Sequence, residues 1–232
     1  MIMGARCTRN CRFCAVEHGA LDPPETDEPE RIAEAVQTLN LGYVVVTSVT
    51  RDDLPNGGAA HFAASIGSIR KVNPDTLVEV LIPDFEGSRD ALELVLEAAP
   101  DVLNHNLETV KRLYPKVRPE AVYERSLELL QRAHHSSPDL PVKSGLMLGL
   151  GETRREIERA LQDLLDHGCS LLTLGQYLQP SKSHLPVVEY ISPEMFAALG
   201  KQALAMGFKQ VASGPFVRSS YHARELFSRI ET

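Results

Sequence analysis

A partial (β/α)6 barrel of the TIM type, an α/β fold in one domain spanning residues 1–232, is the architecture this sequence predicts, on three observations. Apolar, β-branched runs recur along the chain; segments with apolar residues three and four apart separate them; and polar clusters stand where the runs end. Continuous apolar strands belong to a parallel sheet covered on its outer face, and a parallel barrel builds its active site at the C-terminal ends of its strands. A chain of 232 residues is long enough for such a barrel to stay undivided.

The elements follow in order. MIMGA at 1–5 is read as the first strand; it passes into CTRNCRFC at 7–14 and then into the acidic, proline-rich turn ALDPPETDEPE at 20–30. PERIAEAVQTL (29–39) is an amphipathic helix, and YVVVTSV (43–49) a strand ending in the polar stretch TSVTRDDLPNGGA (47–59). LVEVLIP (77–83) is the third strand and RDALELVLEAA (89–99) the helix after it. DVLNHNLE (101–108) carries the fourth strand into NHNLE, and YERSLELLQRA (123–133) returns as a helix. PVKSGLMLGL (141–150) runs into KSGLMLGLGET (143–153), TRREIERALQDLLDHG (153–168) is helical, and LLTLGQYLQ (171–179) ends in GQYLQPS (175–181). Taken singly, Thr47 and Ser48 can cap a helix and Gly57 and Gly58 can make a turn, but four polar strand ends together mark one face. Gly149 and Gly151 allow close backbone approach to a ligand; no Lys-Ser/Thr follows them, so the stretch is not a phosphate-binding P-loop.

Hydrophobic residues make up 43% and charged residues 24%, an ordinary globular balance, and no apolar run nears the roughly 18 to 20 residues a membrane helix needs. The start lacks the apolar region of a secretory signal, so a cytoplasmic, thiol-preserving compartment is expected. With a net charge of −7 and basic residues scattered, apart from Lys111, Arg112, Lys116 and Arg118, neither nucleic acid nor a membrane is an expected partner.

Cys7, Cys11 and Cys14 form C-x3-C-x2-C, with Cys169 far off in HGCSLLTL. A disulfide framework needs paired cysteines in an oxidising compartment. Structural zinc needs a closed set of four ligands, which this triplet reaches only if Cys169 or a histidine joins. Three unrelated core or surface cysteines are the bland alternative. An iron–sulfur cluster on one tight loop explains the spacing, and three thiolates on a cubane leave one iron without a protein ligand, as catalytic metals require.

The triplet, with Phe13 before its last cysteine, resembles the signature of radical S-adenosylmethionine enzymes. Membership implies that the open iron of a [4Fe–4S] cluster chelates S-adenosylmethionine and that a 5′-deoxyadenosyl radical abstracts hydrogen. More narrowly, CTRNCRFCAV, VTSVTRDDLPNGGAAHF, EVLIPDF, NHNLETV, LYPKVRP, KSGLMLGLGET, LTLGQYLQPS, HLPV and ASGPFVRSSYHA, in order over the whole chain, are similar to the lipoyl synthases. That resemblance implies a sulfurtransferase that inserts sulfur at C6 and C8 of an octanoyl chain held on a lysine, using two S-adenosylmethionine molecules per lipoyl group. Its partners would be an octanoylated lipoyl carrier domain or the glycine-cleavage H protein, with ferredoxin or flavodoxin as electron donor. Thr47, Ser48, Asn104, Glu108, Lys143 and Gln176, with Phe13, Tyr177 and Leu178, are the implied surroundings of S-adenosylmethionine. Asn104 and Glu108 suit hydroxyl or amino groups and Lys143 suits a carboxylate.

The RSSY segment (218–221) reads on pattern as a helix N-terminus with Glu225 in its first turn. The resemblance instead implies that Ser219 or Ser220 ligates an iron of an auxiliary [4Fe–4S] cluster, consumed as the sulfur donor; a hard oxygen ligand among soft thiolates suits a cluster that comes apart. In the family three cysteines spaced C-x4-C-x5-C, upstream of the radical motif, complete that second cluster. The six residues before Cys7 hold none of them, so the expectation is a shortened relative that generates the radical without completing sulfur insertion. An enzyme of the same superfamily with a different second step, and a non-catalytic zinc protein, are the rival readings. His105 and His222 are expected near the site, and His134 and His135 on a solvated helix end.

Overall fold

The computed structural model describes residues 1–220 and 223–228. Packing divides the chain into two compact units, Met1–Arg9 with Val16–Asn104, and Asn10–Ala15 with His105–Thr232.

The first unit runs through α1 (Glu28–Thr38), β1 (Tyr43–Thr47), α2 (Ala59–Val72), β2 (Leu77–Leu81), α3 (Arg89–Glu97) and β3 (Val102–Asn104). Proline near the N-terminus of α1 and Glu28 and Glu30 in its first turn favour initiation there. Ser88 caps α3, its hydroxyl accepting the Ala91 N–H at 3.2 Å. β1 pairs in parallel with β2 up to Thr47 opposite Leu81, and β2 with β3 up to Leu81 opposite Asn104, so the three C-terminal ends lie level. Val78, Val80, Val102 and Leu103 are buried on the strands, as are Phe62, Ile66 and Ile69 on α2 and Leu92 and Val95 on α3. One carboxylate lies among them: Glu79 of β2 accepts the Tyr43 hydroxyl at 2.7 Å and the Asn104 side-chain N–H at 2.9 Å. Burial and this carboxylate hold the Tyr43 proton well above its ordinary range.

The second unit holds α4 (Tyr114–Val117), α5 (Tyr123–Ser136), β4 (Val142–Leu148), α6 (Arg154–Asp166), β5 (Leu171–Gln176), α7 (Pro193–Met206), β6 (Gln210–Gly214) and α8 (Ala223–Ser228). β5 pairs in parallel with β4 on one side, up to Leu148 opposite Gln176, and with β6 on the other, up to Gly175 opposite Gly214. All six of its residues are buried. α6 opens on a capping box: the Thr153 hydroxyl accepts the Glu156 N–H, and the Thr153 N–H donates to the Glu156 carboxylate at 2.8 Å. No helix among the described residues is long and apolar enough to cross a membrane.

Two expectations need correction. MIMGA forms no strand: Met3 and Gly4 take positive φ angles, and only an isolated bridge, Ile2 to Ser48, ties the segment to the end of β1. The sixth strand is instead β6, whose QVASG sequence carries too few large apolar residues to signal itself. Helices α2 and α7 also lay outside the pattern reading, α2 because its small residues blur its periodicity. Thr153→Ala removes one half of the capping box and is expected to cost about 1 kcal/mol, seen as a fall of roughly 2–4 °C in the thermal midpoint followed by circular dichroism.

Candidate active site

In the first unit the site begins with Cys7, half-buried, whose N–H donates to the Glu17 carbonyl at 2.9 Å. Its sulfur accepts backbone N–H groups from Arg9 at 3.4 Å and Thr50 at 3.3 Å. Thr50 belongs to the stretch after β1, where the sequence placed Thr47 and Ser48. The Thr47 carbonyl accepts the Ile2 N–H at 2.7 Å, and the Ser48 hydroxyl is buried without a partner among the described residues. Asn104, at the end of β3, gives its N–H to Glu79 and leaves its side-chain oxygen buried and unpartnered among the described residues.

In the second unit the Cys11–Cys14 loop is pinned through main-chain atoms. Arg12 N–H donates to Val117 O at 2.9 Å, Leu185 N–H to Arg12 O at 3.1 Å, and Cys14 N–H to Cys11 O at 3.0 Å, while the His184 ring lies 3.0 Å from Cys14 O. Burial pushes the Cys11 thiol up to about 11, against the pull of the Arg118 guanidinium. Arg118 also donates to the carbonyls of Asn106 and Leu107 and lies over the Tyr114 ring, 5.4 Å from its centroid.

A cavity of about 290 Å3 opens where β4 and β5 end, with Phe13 of the cysteine loop, Asn106, Glu108, Met147, Leu178 and Ser219 in its wall. Gly145 keeps its floor open, since a Cβ there would stand 2.5 Å from the Thr173 hydroxyl and 3.0 Å from the Asn106 side-chain oxygen. Glu108 bridges to β4 with φ at 69°, donating from its N–H to Gly145 O and accepting from Met147 N–H. Burial raises its carboxyl pKa, and Arg118 and the Asn106 amide oppose that rise. The Asn106 amide also reaches the Ser219 hydroxyl at 2.6 Å, whereas Ser220 is exposed.

Other expected residues hold the scaffold, Gln176 and Tyr177 while also lining the cavity. Gln176 gives its amide N–H to the carbonyls of Tyr177 and Glu189 and accepts Ile191 N–H, so it fastens the loop after β5. Tyr177 does the same through its hydroxyl, 2.7 Å from Leu185 O. Lys143 lies near the start of β4, not its end; its buried ammonium donates to Ser219 O at 2.6 Å. Gly149, at φ 102°, makes room for Gln176 and Glu189: a Cβ would fall 2.3 Å from each. His105 is buried against Ser126 of α5, 3.0 Å away, so its ring does not serve the cavity. Tyr221 and His222 lie outside the described residues. Arg118 in KVRP, His184 in HLPV and Asn106 in NHN carry no local signal of their roles, which depend on partners elsewhere in the chain.

A larger hollow, about 600 Å3, lies along α5 and α6, but its charged walls are paired with one another, Lys111 with Glu124, Arg112 with Glu156 and Arg159 with Asp163. Three soft thiolates in C-x3-C-x2-C form a donor set that suits an iron–sulfur cubane, in which each thiolate binds a different iron. Among the described residues no group of three or more His, Cys, Asp or Glu is gathered to hold a metal ion. Cys169 cannot complete a zinc set: it is 2% exposed, its thiol donates to Leu171 O, and it precedes β5, whereas the loop after β5 contacts Cys14.

Comparison with known proteins adds three findings. The model of the Radical SAM superfamily matches residues 1–164. A lipoyl synthase of Desulfotalea psychrophila is 56% identical over 231 residues, covering 100% of this chain and 77% of that protein; one from Caldanaerobacter subterraneus subsp. tengcongensis is 56% identical over 223 residues, covering 96% and 78%. Among solved structures, Streptococcus suis SuiB bound to S-adenosylmethionine gives a TM-score of 0.73 at 8% identity over 91% of this chain and 48% of that one. Methylornithine synthase (PylB) gives 0.66 at 12% over 100% and 80%. At such identities they bear on the fold alone, and bear out its TIM-barrel-like α/β class.

Burial pushes the Cys169 thiol up to about 12. Iodoacetamide at pH 8 on the metal-free folded chain is therefore expected to alkylate Cys7 and Cys14 while leaving Cys169 unmodified until denaturant is added, as read by peptide mass spectrometry.

Proposed function

We propose a division of labour among the site residues from the premise that this chain belongs to the Radical SAM superfamily and, within it, to the lipoyl synthases. Its reaction is radical insertion of sulfur into the octanoyl chain of a carrier protein, at C6 and C8, with a [4Fe–4S] cluster, S-adenosylmethionine and a reductant. When bound, the cluster and S-adenosylmethionine supply a 5′-deoxyadenosyl radical that removes hydrogen from unactivated carbon. The chain's residues supply ligation, orientation and exclusion of water.

Cys7, Cys11 and Cys14 hold the cluster. The elevated Cys11 thiol must lose its proton to bind iron, and the Arg118 guanidinium eases that loss. Glu108 and Asn106, in the wall of the cavity beside Phe13, take the polar groups of S-adenosylmethionine, and Leu178 and Met147 cover its apolar parts. Thr47, Ser48 and Asn104 contribute from the strand ends of the first unit, Ser48 and Asn104 through buried oxygens that lack a partner among the described residues. Gln176, Tyr177 and Lys143 position these groups through the backbone they hold.

The observation that carries this reading is that Phe13 of the cysteine loop and Ser219 of RSSY line one cavity, although more than 200 residues separate them. Ser219, whose hydroxyl accepts from Asn106 and whose carbonyl accepts from Lys143, is the serine we assign as ligand of an auxiliary [4Fe–4S] cluster; Ser220 is exposed. The carrier is a lipoyl domain or the glycine-cleavage H protein and the reductant ferredoxin or flavodoxin, in the cytoplasm, where thiolates stay reduced.

With the family's three upstream cysteines supplied on the chain, Ser219→Ala is expected to abolish lipoyl formation while 5′-deoxyadenosine production continues, and Ser220→Ala to spare both, in anaerobic assays with an octanoylated peptide. The reverse pattern would assign the ligand to Ser220. Gly145→Ala, which pushes a methyl against Thr173 and Asn106, is expected to raise the KM for S-adenosylmethionine by about an order of magnitude or more, measured by 5′-deoxyadenosine release.

A further inference from the structure

Two N–H groups from separate segments converge on one sulfur, that of Cys7: Arg9 N at 3.4 Å and Thr50 N at 3.3 Å. Those segments are kept in register by the Arg9 side chain. Its Nε and Nη2 grip Asp52 at 2.7 and 2.9 Å, and Nη2 also meets Asp84 at 2.5 Å. Asp52 follows β1; Asp84 follows β2, is fully buried, and accepts the Glu86 N–H at 3.1 Å, which fixes it in turn. Thr8 closes the clasp, its N–H donating to Thr50 O at 3.0 Å and its hydroxyl lying 3.0 Å from an Asp52 carboxylate oxygen.

Arg9 is only 5% exposed. Burying a guanidinium with two carboxylates gives little net stability over apolar packing of the same volume, yet removing one member is strongly unfavourable, so its main product is a fixed arrangement. Here the arrangement being fixed includes the two donors on Cys7. Hydrogen bonds to cluster sulfurs stabilise the more negative, reduced state and so raise the reduction potential.

We propose that Arg9, acting through Asp52 and Asp84, is a positioning residue that holds the Arg9 and Thr50 N–H groups on the Cys7 sulfur and thereby sets how readily the cluster there accepts an electron from a low-potential protein reductant. The proposal rests on Cys7 being a cluster ligand, the reading given above.

The test uses the full chain, reconstituted anaerobically with iron and sulfide, as wild type and as Arg9→Lys, Arg9→Met and Asp84→Asn. Iron per chain is measured first, and then the ratio of reduced to oxidised cluster by electron paramagnetic resonance at one poised potential. Arg9→Met is expected to lower that ratio about fivefold, the equilibrium weight of roughly one hydrogen bond, with smaller falls for Arg9→Lys and Asp84→Asn. A merely structural clasp would lower the thermal midpoint and leave the ratio unchanged, and iron-loaded variants with the wild-type ratio overturn the proposal alone. If Arg9→Met fails to fold or to load iron, Asp84→Asn, which keeps the side-chain volume, decides on the same readout. Wild type that takes up no iron overturns the cluster reading, and this inference with it.

Discussion

The mouth of the second unit depends on one guanidinium. Arg118 faces a thiol and a carboxyl that burial drives toward their neutral forms, and it opposes that drive at both Cys11 and Glu108. It is itself held by two carbonyls and an aromatic face, so its charge cannot swing away to solvent. Without it, Cys11 would bind iron only against a stronger hold on its proton, and Glu108 would tend to lose the negative charge that suits an amino group or a hydroxyl. The first unit repeats the device with different parts: Arg9 between two aspartates beside Cys7. Each unit ties its part of the cysteine stretch with an arginine, buried in the case of Arg9 and half-buried in that of Arg118.

A second pattern is the division between residues that face the cavity and residues that hold those residues. Glu108, Asn106 and Ser219 are in the wall, Gln176 and Tyr177 stand in it and also fasten the loop after β5, and Lys143 and His184 fasten backbone beside it. Chemistry that releases a radical needs groups that do not drift, and long polar side chains anchored to carbonyls provide rigidity where loops otherwise move. Gly149 belongs to the same scheme, because the absence of its side chain lets the loop after β5 press against Gln176.

Much of this was legible in the sequence, for definite reasons. Strands β1 to β5 announced themselves through apolar β-branched runs, and the triplet Cys7, Cys11 and Cys14 through spacing, because both signals are local. β6 and α2 were not legible: small residues serve them where packing is close, as at Gly200 of α7, 3.0 Å from Ser213 of β6 measured from a Cβ placed on the glycine, and small residues leave no hydrophobic pattern. MIMGA misled because two buried apolar side chains, Ile2 and Met3, look like a strand until the positive φ of Met3 is known. Arg9 and Arg118 could be seen in the sequence but not interpreted, since their partners, Asp84 and Glu108 among them, are specified only by the fold. Gln176 was picked out as a residue of the site, yet its direction, toward the backbone of 189–191, had no signal in the chain order.

The manner in which the Cys11–Cys14 loop is fastened has a practical side. The backbone ties there run through the main chain of the loop: the N–H and carbonyl of Arg12, the N–H and carbonyl of Cys14 and the carbonyl of Cys11. The side chain of Arg12 is exposed. Position 12 is therefore open to an unnatural residue such as a fluorinated or nitrile-bearing amino acid, and a spectroscopic probe could be installed between two of the cysteines without disturbing the geometry that presents them.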